Sequence, residues 1–437
     1  MPFTSYRDML DYPPVVIERG KGIYVYDKAG REYIDGVGSW WTSIFGHCHP
    51  HITAAVKNQL DKIEHILMAG FISEPALRLS HLLGGLLPKQ LTRIFYSDDG
   101  STAVEVALKI ALQYHALRGG MAREFVGLGG GYHGDTLGAV SVSGIPDFHW
   151  LFHDRFKKHH LTDSPYCFRC PKSRTPETCH AECMDSLEEI LIKRRGKIAG
   201  CIFEPMVQGA AGMRVYPAKV LKRIFSLCEE YKVITIADEV FTGFGRTGKP
   251  WACEHAGKTP DIICLAKGLT GGYLPMGATA VKKHVFEEFK GNPADGRILY
   301  HGHSFTGNPL AAAAACASME LIQELDIPAS LDKSISRFRK GLESFREYAV
   351  VGDVRSIGLI GAIEFVKDRE TKEPFPASDR FALAIARKAL EHGLIVRPLS
   401  DVLYFIPAFI ITGEQMDAMF SMLHLSIKDN LNARPAC

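Results

Sequence analysis

The chain has 437 residues, of which 46% are hydrophobic and 23% are charged, a composition typical of an ordinary soluble protein. Because 51 lysine and arginine residues nearly balance 49 aspartate and glutamate residues, the formal net charge of +2 gives no long-range field to attract nucleic acid or anionic lipid. The sequence also lacks a signal-peptide pattern and any run of about 18 apolar residues. We therefore expect a cytoplasmic protein with neither nucleic-acid nor membrane partners.

The N-terminal segment at residues 1–60 contains a hairpin-like pattern at 22–33. We expect this segment to pack with a small C-terminal domain rather than with the large domain, which we place at 61–317. The length of the chain would allow about three domains of average size, or one large and one small domain.

The large domain shows short β-branched runs that alternate with longer segments of helical period, which predicts an α/β fold with a mainly parallel central sheet flanked by helices. The candidate strands lie at 93–96, 125–128, 198–203, 233–237 and 262–265. After the first strand we expect a helix that begins at a capping box of Thr102 and Glu105 and ends at Gly119 and Gly120.

A segment at 159–183 interrupts the large domain, and its cysteine, proline, threonine and serine content predicts a long surface excursion. Its four cysteines have a spacing that zinc sites tolerate: Cys167, Cys170, Cys179 and Cys183. However, only eight residues, two of them prolines, separate the second and third of these, and the 11 cysteines of the whole chain suit reduced thiols. We expect no metal, and a non-catalytic zinc-binding scaffold is the alternative.

The pattern changes after about residue 318 to helices around charged segments, with short strands between them. The predicted helices lie at 331–348 and 379–392, and the predicted strands at 361–366 and 404–406. This arrangement predicts a second, smaller α+β domain at 318–437.

Two candidate strands of the large domain end in residues that suit cofactor chemistry. Asp238 directly follows the strand at 233–237, and Lys267 comes just after the strand at 262–265. Because ligands bind at the carboxyl ends of strands in open α/β sheets, we expect both side chains to face one site. A desolvated lysine can form a Schiff base with pyridoxal phosphate, whose pyridine nitrogen a carboxylate can hold protonated. Alone, such a lysine is more often a capping or surface residue.

Two further features suit the phosphate and the ring of such a cofactor. Gly100 and Ser101 offer N–H groups and a hydroxyl at a predicted helix N-terminus, although a capped helix alone would explain them. Glycines at 129–131 permit close backbone approach before Tyr132, whose flat face suits an aromatic ring. A glycine-rich turn with an incidental aromatic residue explains this second feature equally well.

Nucleotide binding at residues 243–249 is not expected, although their sequence, GFGRTGK, matches the start of a P-loop. Pro250 stands where a P-loop needs serine or threonine to bind magnesium and to open a helix. Proline cannot supply that hydroxyl, so the pattern does not predict a nucleoside triphosphatase.

Several motifs, taken together and in this order, resemble the class III pyridoxal-phosphate aminotransferases of fold type I. They are EP at 204–205, ADEV at 237–240, TGFGRTG at 242–248, AKGL at 266–269 and HGHSFTGNP at 301–309. The resemblance extends from about residue 2 to about residue 411. It implies pyridoxal 5'-phosphate as the cofactor and a homodimer with shared active sites.

Within that family, other stretches are similar to the members that convert 8-amino-7-oxononanoate to 7,8-diaminononanoate in biotin biosynthesis. These stretches include GSWW at 38–41, GYHGDT at 131–136, ACEH at 252–255 and RP at 397–398. S-adenosylmethionine is the amino donor that this similarity implies, and lysine or another ω-amine is the alternative.

The resemblance implies the catalytic residues Lys267, Asp238 and Tyr132. Lys267 would bind the cofactor covalently and move a proton between substrate and cofactor, Asp238 would pair with the pyridinium nitrogen, and Tyr132 would stack on the ring. The cofactor-binding residues that it implies are Gly100, Ser101, Tyr132, Asp238, Lys267, His303 and Ser304.

Ser304, preceded by His303, would reach the phosphate bound by the other subunit. Arg397 would bind the carboxylate of the keto acid, which suits a bidentate guanidinium. The substrate-binding residues that the resemblance implies are Trp40, Tyr132, Lys267, Gly302, Arg397 and Tyr404.

The resemblance leaves the roles of four positions undecided. Phe3 stands where some members carry a tyrosine that touches substrate, so a hydroxyl contact is missing. Arg246 would contact substrate or brace the loop around Asp238. Glu204 would hydrogen-bond near the hydroxyl of the cofactor or support Tyr132, and Trp40 is either a pocket or a core residue.

Overall fold

A computed structural model describes residues 12–145, 148, 159–175, 177–327 and 329–433. The β-strands in chain order are β1 (Ile17–Lys21), β2 (Tyr24–Asp27), β3 (Glu32–Asp35), β4 (Leu91–Ser97), β5 (Glu124–Gly127), β6 (His160–Leu161), β7 (Ile198–Phe203), β8 (Val207–Gln208), β9 (Arg214–Val215), β10 (Ile234–Asp238), β11 (Ile262–Leu265), β12 (Gly277–Lys282), β13 (Val351–Ile357), β14 (Ile360–Phe365), β15 (Leu394–Ile395), β16 (Arg397–Leu399) and β17 (Val402–Phe405).

Apart from the four-residue turn Gly38–Trp41, whose residues have positive φ, the α-helices in chain order are α1 (Pro50–Leu60), α2 (Glu74–Leu86), α3 (Gly100–Leu117), α4 (Leu137–Val142), α5 (Asp185–Lys193), α6 (Ala218–Glu230), α7 (Lys283–Glu287), α8 (Pro309–Glu324), α9 (Asp332–Glu343), α10 (Phe381–Glu391) and α11 (Gly413–Asn432). Short 3-10 segments include Glu182–Met184, Ala252–Ala256, Lys267–Thr270, Pro293–Asp295, Ala329–Leu331, Ser344–Glu347 and Ala377–Asp379. Among the helices described, none is both long enough and apolar enough to cross a bilayer.

The central sheet has seven strands in the described part of the chain, in the order β4-β12-β11-β10-β7-β5-β6. Neighbouring strands from β11 to β6 run parallel, and β12 is antiparallel to both β11 and β4. The apolar strands β7, β10 and β11 are buried along their whole length, as expected for a sheet covered on both faces. The predicted α/β class with a mainly parallel sheet is confirmed, and five predicted strands correspond to β4, β5, β7, β10 and β11.

The start of α3 differs from the predicted one by one helical turn. Its capping box joins Asp99 and Thr102, with the Asp99 carboxylate accepting from Thr102 N at 2.8 Å. The expected box of Thr102 and Glu105 is wrong because the Glu105 carboxylate instead accepts from Gly138 N at 2.7 Å. The helix therefore begins at Gly100, so that the N–H groups of its first turn lie where β4 ends.

A second sheet, β13-β14-β17-β16, is antiparallel and packs against α9 and α10. The N-terminal strands β1, β2 and β3 form another sheet, in which β3 pairs in parallel with β15. Residue 318, where the smaller domain was expected to begin, lies inside α8, which continues without a break to Glu324 and packs against α1 and α2. The division of the chain into domains stays a prediction.

The excursion at 159–183 begins with β6, which adds an edge strand to the central sheet beside β5. Cys179 and Cys183 are buried, while Cys167 and Cys170 are half-buried. The backbone N–H of Ala181 donates to Cys179 Sγ at 3.2 Å. Within the described ranges, no cluster of three or more histidine, cysteine or acidic side chains has a geometry that would hold a metal ion.

Candidate active site

A cavity of about 700 Å³ opens where β10 and β11 end and α3 begins. Its position follows from the topology, because the carboxyl ends of neighbouring parallel strands meet at one edge of the sheet. Among the residues that line it are five expected from the sequence: Gly100, Ser101, Tyr132, Asp238 and Lys267. The structure therefore brings a lysine, a carboxylate, an aromatic ring and a helix N-terminus together in one place.

Lys267 opens the 3-10 turn that follows β11, and its backbone has a left-handed φ of +47°. Its Nζ lies 4.4 Å from the centre of the Trp41 ring and 5.7 Å from that of Phe241. Burial lowers the pKa of Lys267 from 10.5 to about 8, against the opposing effect of the Asp238 and Glu204 carboxylates. A substantial fraction of this amine is therefore neutral and nucleophilic near pH 8.

Asp238, the last residue of β10, lies at the base of the cavity and is 5% exposed. Its Oδ2 is 2.8 Å from Nδ1 of the buried His133, and its Oδ1 accepts from Val240 N at 3.1 Å. Because an ionised carboxylate only accepts hydrogen bonds, the short contact assigns the proton to Nδ1 of His133. These bonds fix the orientation of the carboxylate.

Glu204 follows β7 and also lines the cavity. Its carboxylate accepts from Tyr132 N at 2.9 Å and from Gly209 N at 2.8 Å. Burial raises the pKa of Glu204 to about 7. Of its two open interpretations, support of Tyr132 is the one for which the structure shows a direct contact.

The end of the cavity formed by α3 is tightly packed. Ser101 Oγ is 2.7 Å from Thr136 Oγ1 and accepts from Thr136 N at 3.1 Å. A Cβ on Gly134, where φ is +112°, would collide with Ser101, and a Cβ on Gly100 would lie 2.6 Å from a methyl carbon of Val240. A side chain at either position would therefore force Ser101 or Val240 to shift.

The two neighbouring tryptophans have different surroundings. Trp41 is buried, lines the cavity and packs against Phe241 with ring centres 4.5 Å apart. Trp40 is 45% exposed and lies outside the cavity lining. Trp40 therefore does not line this cavity, and its expected place in the substrate pocket with Tyr132 stays a prediction. Residues 39–41 have φ values of +47°, +66° and +76°.

Arg397 and Tyr404 do not line the cavity but lie next to it. They face each other in the β16–β17 pair, where the Arg397 guanidinium is 4.2 Å from the centre of the Trp40 ring. Tyr404 is fully buried and packs edge-on against Trp41, with ring centres 5.9 Å apart. Trp41 thus connects the cavity to the arginine that was expected to bind a carboxylate.

The residues Gly302, His303 and Ser304 lie on a loop that does not line the cavity of its own chain. Gly302 and Ser304 are exposed, and Nδ1 of His303 is 3.4 Å from Oδ2 of Asp98, a cavity-lining residue. The loop is held by Lys109 on α3, whose Nζ donates to the carbonyl of Tyr300 at 2.9 Å.

Arg246 is buried and braces the protein interior. Its Nη1 donates to the carbonyl of Pro407 at 2.6 Å, and its guanidinium lies 4.5 Å from the centre of the Phe409 ring. Burial lowers the pKa of Arg246 to about 9. These contacts support a bracing role for Arg246.

Phe3, at which a hydroxyl contact to substrate was expected to be missing, lies outside the residues that the structure describes.

Among the lining residues that the sequence analysis missed are Trp41, His133 and Phe241. His133 stands directly after Tyr132 in a stretch that was already noted, so its neighbourhood was a usable signal. Trp41 likewise stands beside Trp40 in the GSWW stretch. For Phe241 the sequence offers no such signal, because aromatic residues beside strands usually belong to the core.

The donor set of the cavity fits pyridoxal phosphate. The first turn of α3 with the Ser101 hydroxyl suits a phosphate group, the depressed pKa of Lys267 suits reaction with an aldehyde, and the Asp238 carboxylate suits a protonated ring nitrogen. Tyr132 and the Trp41 ring supply flat apolar surfaces for an aromatic ring.

Comparisons with known proteins agree with this fit. Residues 6–427 match the family Aminotransferase class-III. The adenosylmethionine-8-amino-7-oxononanoate aminotransferase of Geobacter sulfurreducens is 42% identical over 428 residues, which cover 98% of this chain and 94% of the relative.

Two solved structures have the same fold. The adenosylmethionine-8-amino-7-oxononanoate aminotransferase of Methanocaldococcus jannaschii has a TM-score of 0.92 and 38% identity, with 98% of this chain and 96% of that chain covered. A PLP-bound amine transaminase from an uncultivated Pseudomonas species has a TM-score of 0.94 and 34% identity, with 98% of each chain covered.

The fold and the cavity define an enzyme of the fold type I transferase class, in which a lysine and a carboxylate meet at the ends of parallel strands. The chain belongs to the class III aminotransferase family.

Proposed function

We propose that the protein binds pyridoxal 5'-phosphate in this cavity and transfers an amino group to 8-amino-7-oxononanoate, giving 7,8-diaminononanoate. The observation that carries the proposal is the presence of Lys267, Asp238 and the first turn of α3 around one cavity. The names of the relatives and their identity to this chain over nearly its full length support the choice of acceptor.

When bound, the cofactor supplies an electron-poor ring that stabilises negative charge on the carbon of the substrate amine. Lys267 Nζ would hold the reacting end of the cofactor and would accept and return the substrate proton. Asp238, oriented by His133, keeps a proton on the ring nitrogen. Gly100 and Ser101 bind the phosphate, and Tyr132 packs on the ring.

The substrate end of the site is assigned to Arg397, which binds the carboxylate of the acceptor as a bidentate guanidinium. Its position beside Trp40, and its link through Tyr404 to Trp41, support a path from the cavity to that carboxylate. Tyr404 and Gly302 complete the proposed substrate pocket together with Trp40 and Tyr132.

We propose that two copies of the chain form the enzyme. His303 and Ser304 lie outside the cavity of their own chain, on an exposed loop that is available to reach the phosphate of a second copy. Phe71 and Phe305 are 62% and 59% exposed, and apolar surface of this kind favours contact with a partner. The cytoplasmic location expected from the sequence stays a prediction.

A panel of amino donors tests the proposed reaction. Purified protein with pyridoxal phosphate and 8-amino-7-oxononanoate is supplied with S-adenosylmethionine, with lysine or with common ω-amines, and the product is identified by mass. We expect 7,8-diaminononanoate to form with S-adenosylmethionine. Absence of this product with every donor would overturn the proposed function.

A second candidate is a class III aminotransferase that uses lysine or another ω-amine as donor. The amine transaminase of the Pseudomonas species, whose structure has a TM-score of 0.94 to this protein, favours keeping it. Product formation with lysine or an ω-amine but not with S-adenosylmethionine would select this alternative.

The depressed pKa of Lys267 predicts a pH dependence for cofactor uptake. With a pKa of about 8, about one-tenth of the amine is neutral at pH 7 and about nine-tenths at pH 9. The rate at which cofactor-free protein reacts with pyridoxal phosphate should therefore rise about tenfold over this range, as measured by stopped-flow absorbance.

Pyridoxine phosphate, which lacks the aldehyde, serves as the control, and its binding should show no inflection near pH 8.

The stability of the cofactor-free protein should depend on the same titration. Folding lowers the pKa of Lys267 from 10.5 to about 8, so the unfolded chain binds more protons than the folded chain between these two pH values. The free energy of unfolding of the cofactor-free protein should thus rise with pH from about 8 to about 10.5. A rate of pyridoxal phosphate uptake that does not change between pH 7 and pH 9 would contradict the assignment of the reactive amine to Lys267.

A further inference from the structure

The excursion at 159–183 has contacts that its cysteine spacing did not predict. The Tyr166 hydroxyl donates to Oε2 of Glu364, on β14, at 2.6 Å, and the Arg169 guanidinium also pairs with Glu364. Lys372, in the loop after β14, donates from Nζ to the carbonyl of Phe168 at 2.7 Å. The excursion is thus bonded to the antiparallel sheet that carries Arg397 and Tyr404.

Glu364 is the centre of this contact and is 4% exposed. Arg355 of β13 donates from Nη1 to Glu364 at 2.7 Å and to Asp353 at 2.8 Å. Although burial alone would raise the pKa of Glu364, Arg355, Tyr166 and Arg169 together lower it below its ordinary value. The carboxylate is therefore charged at neutral pH and holds the Tyr166 hydroxyl as a strong donor.

On its other side, the excursion holds the glycine-rich turn that precedes Tyr132. The Arg214 guanidinium lies 4.1 Å from the centre of the Tyr166 ring and donates to Ser164 Oγ at 3.0 Å. Ser164 donates to Gln208 Oε1 at 3.1 Å. The Gln208 amide in turn donates to the carbonyl of Gly129 at 2.9 Å.

The glycine-rich turn packs directly on the Arg214 guanidinium, because a Cβ on Gly130 would lie 2.7 Å from Arg214 Nη1. The backbone position of Tyr132 therefore depends on side chains that the excursion orders.

The strand pairing of the antiparallel sheet links Glu364 to the residues of the proposed substrate pocket. Glu364 pairs with Val402, Ala362 pairs with Tyr404, and Tyr404 pairs with Arg397. Because side chains two residues apart share one face of a strand, Glu364 and Ala362 point to the same side. Ala362, Val402 and Tyr404 pack in one apolar cluster with Trp41, and Tyr132 packs against this cluster.

We propose that Tyr166 and Glu364 are positioning residues for the substrate pocket, joining the turn before Tyr132 to the strands that carry Tyr404 and Arg397. The proposal rests on the proposed function, because it takes Arg397 as the group that binds the acceptor carboxylate. The pair sets how far the Arg397 guanidinium lies from the reacting end of the cavity. Its effect is therefore on acceptor binding and not on proton transfer at Lys267.

The test is Tyr166→Phe, which removes the hydroxyl and leaves the ring stacked on Arg214. We expect the KM for 8-amino-7-oxononanoate to rise about five- to tenfold, with kcat changed by less than about twofold, since one charge-assisted hydrogen bond is lost. The affinity for pyridoxal phosphate and the visible spectrum should not change. Arg169→Met removes a second bond to Glu364 and should raise the same KM.

Tyr348→Phe is the matched control. It deletes a hydroxyl that bonds to His424 Nδ1 at 2.8 Å, away from the excursion, and should leave the KM unchanged. Hydrogen exchange supplies a readout that needs no substrate. The backbone amide hydrogens of the strand at 402–405 should exchange faster in the Tyr166→Phe variant than in the Tyr348→Phe variant.

An unchanged KM in Tyr166→Phe, or equal losses of kcat, KM and cofactor affinity as in general destabilisation, would overturn the positioning role. Failure of the proposed function has a different signature, because the wild-type protein would then not aminate the acceptor at all. In that case the exchange measurement alone decides the positioning role, and equal exchange in the two variants would overturn it.

Discussion

Replacing Lys267 with alanine should abolish amino transfer, with a loss of turnover of about 10⁴-fold or more. Nζ of this lysine lies beside the Trp41 and Phe241 rings and has a pKa of about 8, and alanine provides neither a nucleophile nor a base there. Product formation from a saturating donor, followed by mass, measures the loss.

The cofactor contact of Lys267 can be measured independently of turnover. Borohydride treatment of the wild-type protein with pyridoxal phosphate should fix the cofactor on the peptide that contains Lys267, and the alanine variant should lose this modification. Lys258→Ala removes a surface lysine that pairs with Glu229 and serves as the control. Turnover by Lys267→Ala at a rate near that of wild type would disprove the proposed mechanism.

Asp238→Asn should give folded protein with turnover reduced on the order of 10²- to 10³-fold. The amide has the shape of the carboxylate and can still accept from His133, but it lacks the negative charge that favours a proton on the ring nitrogen. Single-turnover rates with the donor report this step, and circular dichroism checks the fold. Cofactor affinity should fall less than turnover does, because Gly100 and Ser101 remain.

The matched control is Asp261→Asn, at the opposite end of the same sheet. Asp261 accepts from Thr235 N at 2.9 Å and pairs with Lys282, so its loss should affect stability while turnover per folded molecule stays near wild type. An Asp238→Asn enzyme with unchanged single-turnover rates would remove the role assigned to this carboxylate.

The α/β class and the strands that deliver Asp238 and Lys267 could be predicted because apolar runs and the residues that follow them are local features of the sequence. The start of α3 could not, since Asp99 and Thr102 each suit an N-cap and only the contact of Glu105 with Gly138 decides between them. Such a contact depends on the tertiary fold.

The assignment of Trp40 instead of Trp41 to the cavity has a different cause. Ser39, Trp40 and Trp41 all have positive φ, a backbone that such residue types rarely adopt, so the sequence does not indicate which of the two tryptophans faces the cavity. The bonds from Tyr166 to Glu364 span 198 positions of the chain, so no spacing within the excursion could have indicated them.

The left-handed backbone of Lys267 has a consequence for engineering. A non-glycine residue at φ +47° costs on the order of 1–3 kcal/mol, and burial of its amine adds to this cost. Glycine and asparagine accept this backbone more readily than lysine does. A variant library screened for heat resistance alone would therefore enrich inactive replacements at this position, so thermal tolerance and turnover have to be selected together.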